Sequence, residues 1–266
     1  MKKHYIFFFN IRLLIFIIIF SAFNITQVFA QTTVTNRIAL ANDDVEQALS
    51  GKMYFDSSDL ELGYDDFDNQ RNQTVGLLFR GLSIPQGATI TNAYVRFTAD
   101  GSSSGSVSLR ISGHDTNSGT AFSNATYHLT NLPKTVAVDW SLSSWSSSNT
   151  YNTPDIKSVI QQIVNRGGWA SGNNISIIIQ DISGNSNYRK AYDYNESASR
   201  AAELVVTYTI CSPEIPSPVF VLGASSNRCP GTIGTTYTAN SAGATGMTYS
   251  ISNSGTGTQP LINAST

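Results

Sequence analysis

Thr91-Asn92-Ala93-Tyr94-Val95-Arg96-Phe97 alternates from Asn92 onward: Ala93, Val95 and Phe97 are apolar, whereas Asn92, Tyr94 and Arg96 carry polar groups. Successive side chains of a β-strand point to opposite faces, so this pattern predicts a strand with one face in a core and the other toward solvent. Pro85-Gln86-Gly87 precedes it as a turn, and Asp100-Gly101-Ser102-Ser103-Ser104-Gly105 follows it as another. This strand anchors the assignment of the remaining chain.

The same period-two pattern recurs from Val34 to Tyr208. It predicts strands at Thr33–Leu40, Lys52–Phe55, Asp59–Leu62, Thr74–Phe79, Thr89–Thr98, Ser106–Ser112, Thr135–Trp140, Asn174–Asp181, Tyr188–Tyr192 and Glu203–Thr209. About ten short strands separated by Gly, Ser and Asn loops are typical of a β-sandwich. We therefore expect an all-β domain over residues 31–210.

One segment has a helical period instead. Ile156, Val159, Ile160, Ile163 and Val164 fall on one face, after Thr153 as the predicted N-cap and Pro154 as the first helical residue, and Asn165-Arg166-Gly167-Gly168 ends the segment. The pattern predicts one short amphipathic helix that plugs an end of the sandwich.

Residues 1–30 have the layout of a secretory signal peptide. Lys2 and Lys3 precede an apolar run, and Val28-Phe29-Ala30 supplies small residues at a cleavage site. The run from Leu13 to Phe23 is short for a membrane span, which needs about 20 apolar residues. We expect cleavage after Ala30, a secreted or cell-surface location and no membrane span in the mature chain.

The chain changes character after Thr209. Residues 211–218 form a predicted Pro-rich linker, and residues 219–266 read as a partial β module too short for a complete immunoglobulin-like sandwich. Cys211 and Cys229 are the two cysteines of the chain, and an exported protein allows them to pair. The chain is interpreted as a truncated product or a fragment of a longer multidomain protein.

The charge balance argues against a nucleic-acid partner. Three of the sixteen basic residues and none of the eighteen acidic ones lie in residues 1–30, so the remainder carries a charge of about −5. Without a Lys/Arg stripe, the chain has nothing to offset phosphate charge.

Two acid-rich stretches are candidates for a metal site. Asp59 and Glu61 alternate with Leu60 and Leu62 before the loop that contains Asp65, and Asp43-Asp44-Val45-Glu46 lies upstream. Calcium takes about 6–8 oxygen ligands, so these acids are candidate ligands of a structural calcium ion. The alternative is a solvated acidic turn that binds no metal. The candidate ligands are Asp43, Asp44, Glu46, Asp59, Glu61 and Asp65.

Two further runs resemble a known family. Gln73-Thr74-Val75-Gly76-Leu77-Leu78-Phe79 and then Ile84-Pro85-Gln86-Gly87-Ala88-Thr89-Ile90 are similar to the DNRLRE-type family of secreted jelly-roll domains. The resemblance covers about Asp43 to Tyr208 and implies a jelly-roll β-sandwich on a bacterial surface or secreted protein. It further implies polysaccharide binding in some relatives and calcium in a structural role. Residues 219–266 are similar to immunoglobulin-like or PKD-like repeats of large surface proteins.

Aromatic side chains are the residues to search for a sugar site, because the C–H face of a pyranose stacks on an aromatic ring. Trp145 lies in a Ser-rich loop and is the first candidate for an exposed platform, followed by Tyr192, Tyr194 and Tyr188. Trp140 is assigned to the core, and Trp169 is assigned to the corner after the helix. For each candidate the alternative is an ordinary buried aromatic.

Catalytic motifs are sparse in this sequence. His114-Asp115 could form half of a triad, but the Gly-x-Ser-x-Gly match at Gly101 to Gly105 lies in a turn between two predicted strands rather than before a helix, so it is no nucleophile elbow, and the main domain has no zinc-binding set. The sequence therefore favours a non-catalytic binding domain for a polysaccharide or cell-surface glycan. The alternatives are a structural spacer or adhesion module of a large adhesin and, third, a polysaccharide-degrading hydrolase.

Overall fold

The structure is a computed structural model that describes residues 31–65, 67 and 71–210. The signal peptide (1–30), the linker (211–218), the partial Ig-like module (219–266) and the Cys211–Cys229 pair lie outside the described residues and stay predictions. In the described range, no helix is long and apolar enough to cross a membrane.

The described part is dominated by β-strands with three short helices. The strands are β1 (Gln31–Arg37), β2 (Asp44–Gln47), β3 (Met53–Tyr54), β4 (Leu60–Asp65), β5 (Arg71–Asn72), β6 (Thr74–Phe79), β7 (Thr89–Thr98), β8 (Val107–Gly113), β9 (Val138–Leu142), β10 (Thr150–Asn152), β11 (Ile175–Asp181), β12 (Tyr188–Ala191) and β13 (Glu203–Thr209). The helices are α1 (His128–Asn131), α2 (Lys157–Val164) and α3 (Tyr194–Ser197).

The strands form two main antiparallel sheets and a smaller third one. The first sheet has the order β1-β13-β7-β10, the second β3-β2-β6-β11-β8-β9 and the third β12-β4-β5. Eight strands make up the sandwich proper: β1, β6, β7, β8, β9, β10, β11 and β13. When these eight strands are numbered 1 to 8 in chain order, one sheet has the order 1-8-3-6 and the other has the order 2-7-4-5. That order is the double Greek key of a jelly roll, which confirms the predicted fold class.

The inward faces of the strands form one core between the sheets. The alternation that predicted β7 is observed, because Ala93, Val95 and Phe97 are fully buried while Tyr94 and Arg96 are half-buried on the other face. Leu204 and Val206 of β13 join the same core cluster. Burial of this apolar surface supplies the main stabilisation of a domain that contains no cysteine between residues 31 and 210.

The amphipathic helix α2 closes the sandwich as expected, with a different start. Its apolar residues are all buried, and the helix packs against one strand of each main sheet, β7 and β8. The predicted N-cap at Thr153 is wrong: the helix begins at Lys157. Asp155 accepts hydrogen bonds from the backbone N–H of Lys157 at 2.9 Å and of Ala93 at 3.1 Å, whereas Thr153 bonds to Val95 of β7. Pairing with the strand therefore delays the helix by one turn.

Candidate functional site

A cleft of about 730 Å³ opens beside the third sheet. Residues from β3, β4 and β12 line it, together with the loop between β3 and β4. Its aromatic lining consists of Tyr54, Tyr64, Phe67 and Tyr188. Phe67 is 73% exposed and Tyr188 is 39% exposed, so ring surface faces the open space.

The period-two geometry at the start of β4 directs Asp59, which precedes the strand, and Glu61, which lies in it, toward this cleft. Leu60 and Leu62 are buried in the sandwich core, while Asp59 and Glu61 line the cleft, as the alternation predicted. Strand β12 pairs with β4 so that Lys190 lies opposite Glu61 and Tyr188 lies opposite Gly63. Tyr188 and Lys190, two residues apart on one strand, therefore reach the same cleft.

Lys190 neutralises part of the acidic wall. Its ammonium group forms an ion pair with Asp59 and lies 3.1 Å from Glu61 Oε1. Burial lowers the pKa of Lys190, but the hydrogen bond to Asp59 and the charge of Glu61 outweigh burial and leave this pKa raised. Lys190 is thus a fixed cation between two carboxylates.

Two buried carboxyl groups of β2, those of Glu46 and Asp44, bond to the backbone of neighbouring segments. Glu46 Oε1 accepts the backbone N–H of Glu61 at 2.7 Å, and Asp44 Oδ2 accepts that of Tyr194 at 2.8 Å. Their other carboxylate oxygens, Glu46 Oε2 and Asp44 Oδ1, are buried and have no hydrogen-bond partner among the residues described. Each of these two carboxyl groups is therefore anchored through one oxygen by a backbone N–H.

Burial raises the pKa values of three of these acids. It raises the pKa of Asp44 from 3.8 to about 7, with smaller contributions from the charges of Asp193 and Asp43. Burial, followed by the charge of Asp59, raises the pKa of Glu61 from 4.5 to about 7. Burial and the neighbouring Glu61 charge also hold the pKa of Glu46 well above its ordinary range. Protons can therefore reside on this cluster near neutral pH.

The six predicted calcium ligands are distributed over several contacts. Asp43 receives two hydrogen bonds from Arg80, at 2.6 and 2.7 Å, and Asp65 Oδ1 accepts the N–H of Phe67 at 2.8 Å. Across residues 31–65, 67 and 71–210, no group of three or more His, Cys, Asp or Glu side chains is arranged to hold a metal ion. The six acids thus do not form one coordination sphere there, and calcium stays a prediction.

The expectation that Trp145 is exposed is wrong. Its side chain is 2% exposed, and its ring stacks on Tyr151 with centroids 4.7 Å apart. Trp145 also exchanges two backbone hydrogen bonds with Ser103, so the Ser-rich loop folds over its own tryptophan. Trp140 packs 6.2 Å from it in the same cluster, as its assignment to the core predicted.

The tyrosine candidates divide between three places. Tyr188 lines the cleft, whereas Tyr194 is half-buried against the core and Tyr192 lies under the guanidinium of Arg200, 4.7 Å from ring centroid to Cζ. Sequence reasoning did not assign Tyr54, Tyr64 or Lys190 to a site, although all three line the cleft. The alternation of the predicted strand at 188–192 could have placed Lys190 on the face of Tyr188.

Arg189 points away from the cleft and holds strand β12 in place. Its side chain is completely buried, and its guanidinium donates to the carbonyl oxygens of Ser143 (2.8 Å), Ser104 (3.2 Å), Tyr188 (2.7 Å) and Gly105 (2.6 Å). A buried cation is tolerated when its donors are satisfied in this way. The contacts tie β12 to two loops and fix its cleft-lining residues.

His114 and Asp115, which could have formed half of a catalytic triad, make structural contacts instead. Asp115 forms an ion pair with Arg166, which follows α2, and the backbone of His114 bridges to Lys134. Burial, followed by the neighbouring His128, lowers the pKa of His114. Asp115 is therefore held by an arginine rather than by an imidazole.

Neither a family model nor a curated protein matches the chain. The resemblance to the DNRLRE-type family consequently stays a prediction. Among solved structures, the Family 11 carbohydrate-binding module from Clostridium thermocellum, in complex with a β-1,3-1,4-mixed-linked tetrasaccharide, is similar at 12% identity. The similarity covers 70% of this chain and 91% of that one, with a TM-score of 0.23. This score is too low to support a functional argument, and the jelly-roll assignment rests on the strand order.

Proposed function

We propose that residues 31–210 form a non-catalytic, secreted or surface-displayed domain that binds a polysaccharide in the cleft beside β4 and β12. One observation carries the proposal: Tyr54, Tyr64 and Tyr188 line a single open cleft together with fixed charged groups. Tyrosine rings can stack on the C–H faces of sugars, and neighbouring polar groups can bond to the hydroxyls. The signal-peptide layout of residues 1–30 supports export.

The geometry of the cleft suits this use. Its volume of about 730 Å³ is in the range of small-molecule and oligosaccharide-sized sites. The Lys190 ammonium, fixed by Asp59 and Glu61, provides a rigid polar group next to Tyr188. Rigid groups lose less entropy when they bind a ligand, so their hydrogen bonds contribute more to affinity.

A glycan array followed by calorimetric titration tests the proposal. Tyr64→Ala and Tyr188→Ala should each weaken binding by at least about fivefold, because each removes a stacking surface. Tyr94→Ala is the matched control, since Tyr94 is a half-buried tyrosine on the first sheet, away from the cleft. Failure to bind any glycan would contradict the proposal and favour a structural spacer or adhesion module.

The alternative that the domain hydrolyses the bound glycan also needs a test. Asp59 and Glu61 are paired with Lys190, which supports a role in holding the site rather than in proton transfer to a substrate. Glycan turnover that Asp59→Asn abolishes would overturn the non-catalytic part of the proposal and identify a hydrolase.

Calcium is the remaining part of the proposal, as a structural ion near β2. The buried, unpartnered oxygens of Asp44 and Glu46 support it, because a cation would offset their charge. Calcium should raise the melting temperature of the protein, and a chelator should lower it, whereas the double variant Asp44→Asn/Glu46→Gln should not respond. An unchanged melt across a calcium titration would remove calcium from the proposal.

A further inference from the structure

The charge of the cleft lining is strongly asymmetric. Among the residues that the structure describes, four carboxylates line it, from Asp56, Asp59, Glu61 and Asp65, against the two ammonium groups of Lys52 and Lys190. Even with a proton on Glu61, three carboxylates face two cations. The surface that a ligand meets is therefore net negative.

Both cations of the lining already have partners. Lys190 is paired with Asp59 and Glu61, and the Lys52 ammonium lies 4.3 Å from the centroid of the Tyr54 ring. These contacts compensate most of the positive charge of both ammonium groups, although Lys190 can still donate a hydrogen bond to a sugar hydroxyl. A negatively charged sugar would thus meet carboxylates without a free cation to compensate for them.

A buried carboxyl group lies directly behind the wall. Glu46 is 1% exposed, accepts the N–H of cleft-lining Glu61, and keeps one carboxylate oxygen without a partner among the described residues. Asp44 is 4% exposed and has a second such oxygen. Because burial raises the pKa values of both groups, they hold protons at mildly acidic pH, and the negative charge of the cleft then comes from its own lining.

The aromatic rings favour the same sign of charge. The face of a tyrosine ring attracts cations, and the contact of Lys52 with Tyr54 already uses that attraction. Tyr64 and Tyr188 line the cleft together with the four carboxylates. An amino group attached to a stacked sugar ring would lie within reach of both kinds of group.

We propose that the cleft selects polysaccharides whose sugars carry free, protonated amino groups, such as glucosamine units, over neutral and anionic glycans. The inference rests on the proposed function, because it needs a sugar stacked in the cleft. Carboxylates pair with the ammonium groups, the tyrosines stack on the rings, and the net negative lining repels uronic acids and sulfated sugars.

Calorimetric titration with matched oligosaccharides at mildly acidic pH tests the inference. The ligands are glucosamine oligomers, N-acetylglucosamine oligomers of equal length, and oligogalacturonate. We expect the glucosamine oligomer to bind at least about fivefold more tightly than its acetylated form. We also expect its affinity to fall with added salt, and oligogalacturonate to show no binding.

Variants assign the preference to the cleft. Asp56→Asn should weaken binding of the glucosamine oligomer more than binding of the N-acetylated oligomer, because Asp56 is an exposed carboxylate of the lining. Asp139→Asn is the control, since Asp139 is an exposed acid on β9 of the second sheet. Tyr188→Ala should weaken both ligands.

The outcomes separate this inference from the proposed function. Equal or tighter binding of the N-acetylated oligomer would overturn the amino-group selectivity and leave polysaccharide binding intact. Absence of binding to all glycans would overturn both. Oligolysine that binds as tightly as the glucosamine oligomer, with no effect of Tyr188→Ala, would indicate a cationic peptide partner and overturn the inference.

Discussion

Lys190 lies directly across the β4–β12 ladder from Glu61, and its ammonium group is 3.1 Å from Glu61 Oε1 while it also pairs with Asp59. One side chain thus provides the positive charge for two carboxylates that are each less than a tenth exposed. The same three groups form part of the cleft wall. Stability and binding therefore depend on one ion-pair network.

Removal of this cation should destabilise the domain. Lys190→Met keeps the aliphatic stem but leaves Asp59 and Glu61 without their ammonium partner, which should cost about 2 kcal/mol of unfolding free energy after allowance for solvent at the cleft. Urea unfolding measures the change. Lys190→Arg keeps the charge and should retain most of the stability, and equal midpoints for Lys190→Met and the wild type would contradict the network.

The buried acids should make the domain more stable at acidic than at neutral pH. The folded-state pKa values of Asp44 and Glu61 are raised to about 7, from 3.8 and 4.5, so between these limits the folded state binds more protons than the unfolded state. The free energy of unfolding should consequently fall as pH rises from about 4.5 to 7. The stabilising contribution of Asp44 and Glu61 is fully present below their unfolded-state pKa values of 3.8 and 4.5. It is lost as the pH rises through their folded-state pKa values of about 7.

Chemical denaturation at a series of pH values in calcium-free buffer checks this dependence. Glu46→Gln should flatten the slope, because an amide can still accept the N–H of Glu61 but does not titrate. Asp139→Asn should leave it unchanged, since its hydrogen bond to Arg110 lowers the pKa of Asp139 below this window. Stability that rises steadily from pH 4.5 to 7 would refute the assignment.

Local patterns were sufficient to predict much of the sandwich. The predicted limits of Thr74–Phe79, Thr89–Thr98 and Glu203–Thr209 match the observed strands, because each is long and has one face or both faces in the core. Strand β2 was missed, since its acids resemble a loop and its pairing with β6 is not a local property. The three-residue strand β10 is too short to carry a pattern.

The candidate site could be predicted only in part. Alternation placed Asp59 and Glu61 on one face, but the partner of Asp59 is Lys190, which is 131 positions away in the chain. The exposure of Trp145 was predicted wrongly for the same reason. The polar sequence of its loop does not reveal that Tyr151 of β10 packs against the tryptophan ring. Contacts between distant segments decide which loop residues are buried.

Gly63 is required where β4 passes Tyr188. Its φ is +125°, and a Cβ there would lie 2.6 Å from the carbonyl oxygen of Asn187. Gly63→Ala should therefore displace β12, lower the unfolding free energy by about 2–3 kcal/mol and weaken glycan binding through Tyr188. Gly87→Ala is the matched control: φ is +73° and no atom lies within 4 Å of the added Cβ, so only the smaller backbone cost applies.

Denaturant unfolding and glycan titration of both glycine variants separate the two effects. Gly87→Ala should reduce stability by about 1 kcal/mol and leave affinity unchanged, because its turn is remote from the cleft. Equal stability losses in the two variants, with unaltered affinity in Gly63→Ala, would show that β12 accommodates the methyl group without moving Tyr188.

Trp145 should behave as a core residue rather than as a sugar platform. Trp145→Ala removes a ring that stacks on Tyr151 and packs near Phe97 and Trp140, which should cost about 3–5 kcal/mol of unfolding free energy. Trp145→Phe keeps an aromatic ring against Tyr151 and should cost about 1–2 kcal/mol. Because the ring is buried, the folded Trp145→Phe protein should bind glycans with wild-type affinity. An affinity loss at wild-type stability would place Trp145 in a binding surface and contradict its burial.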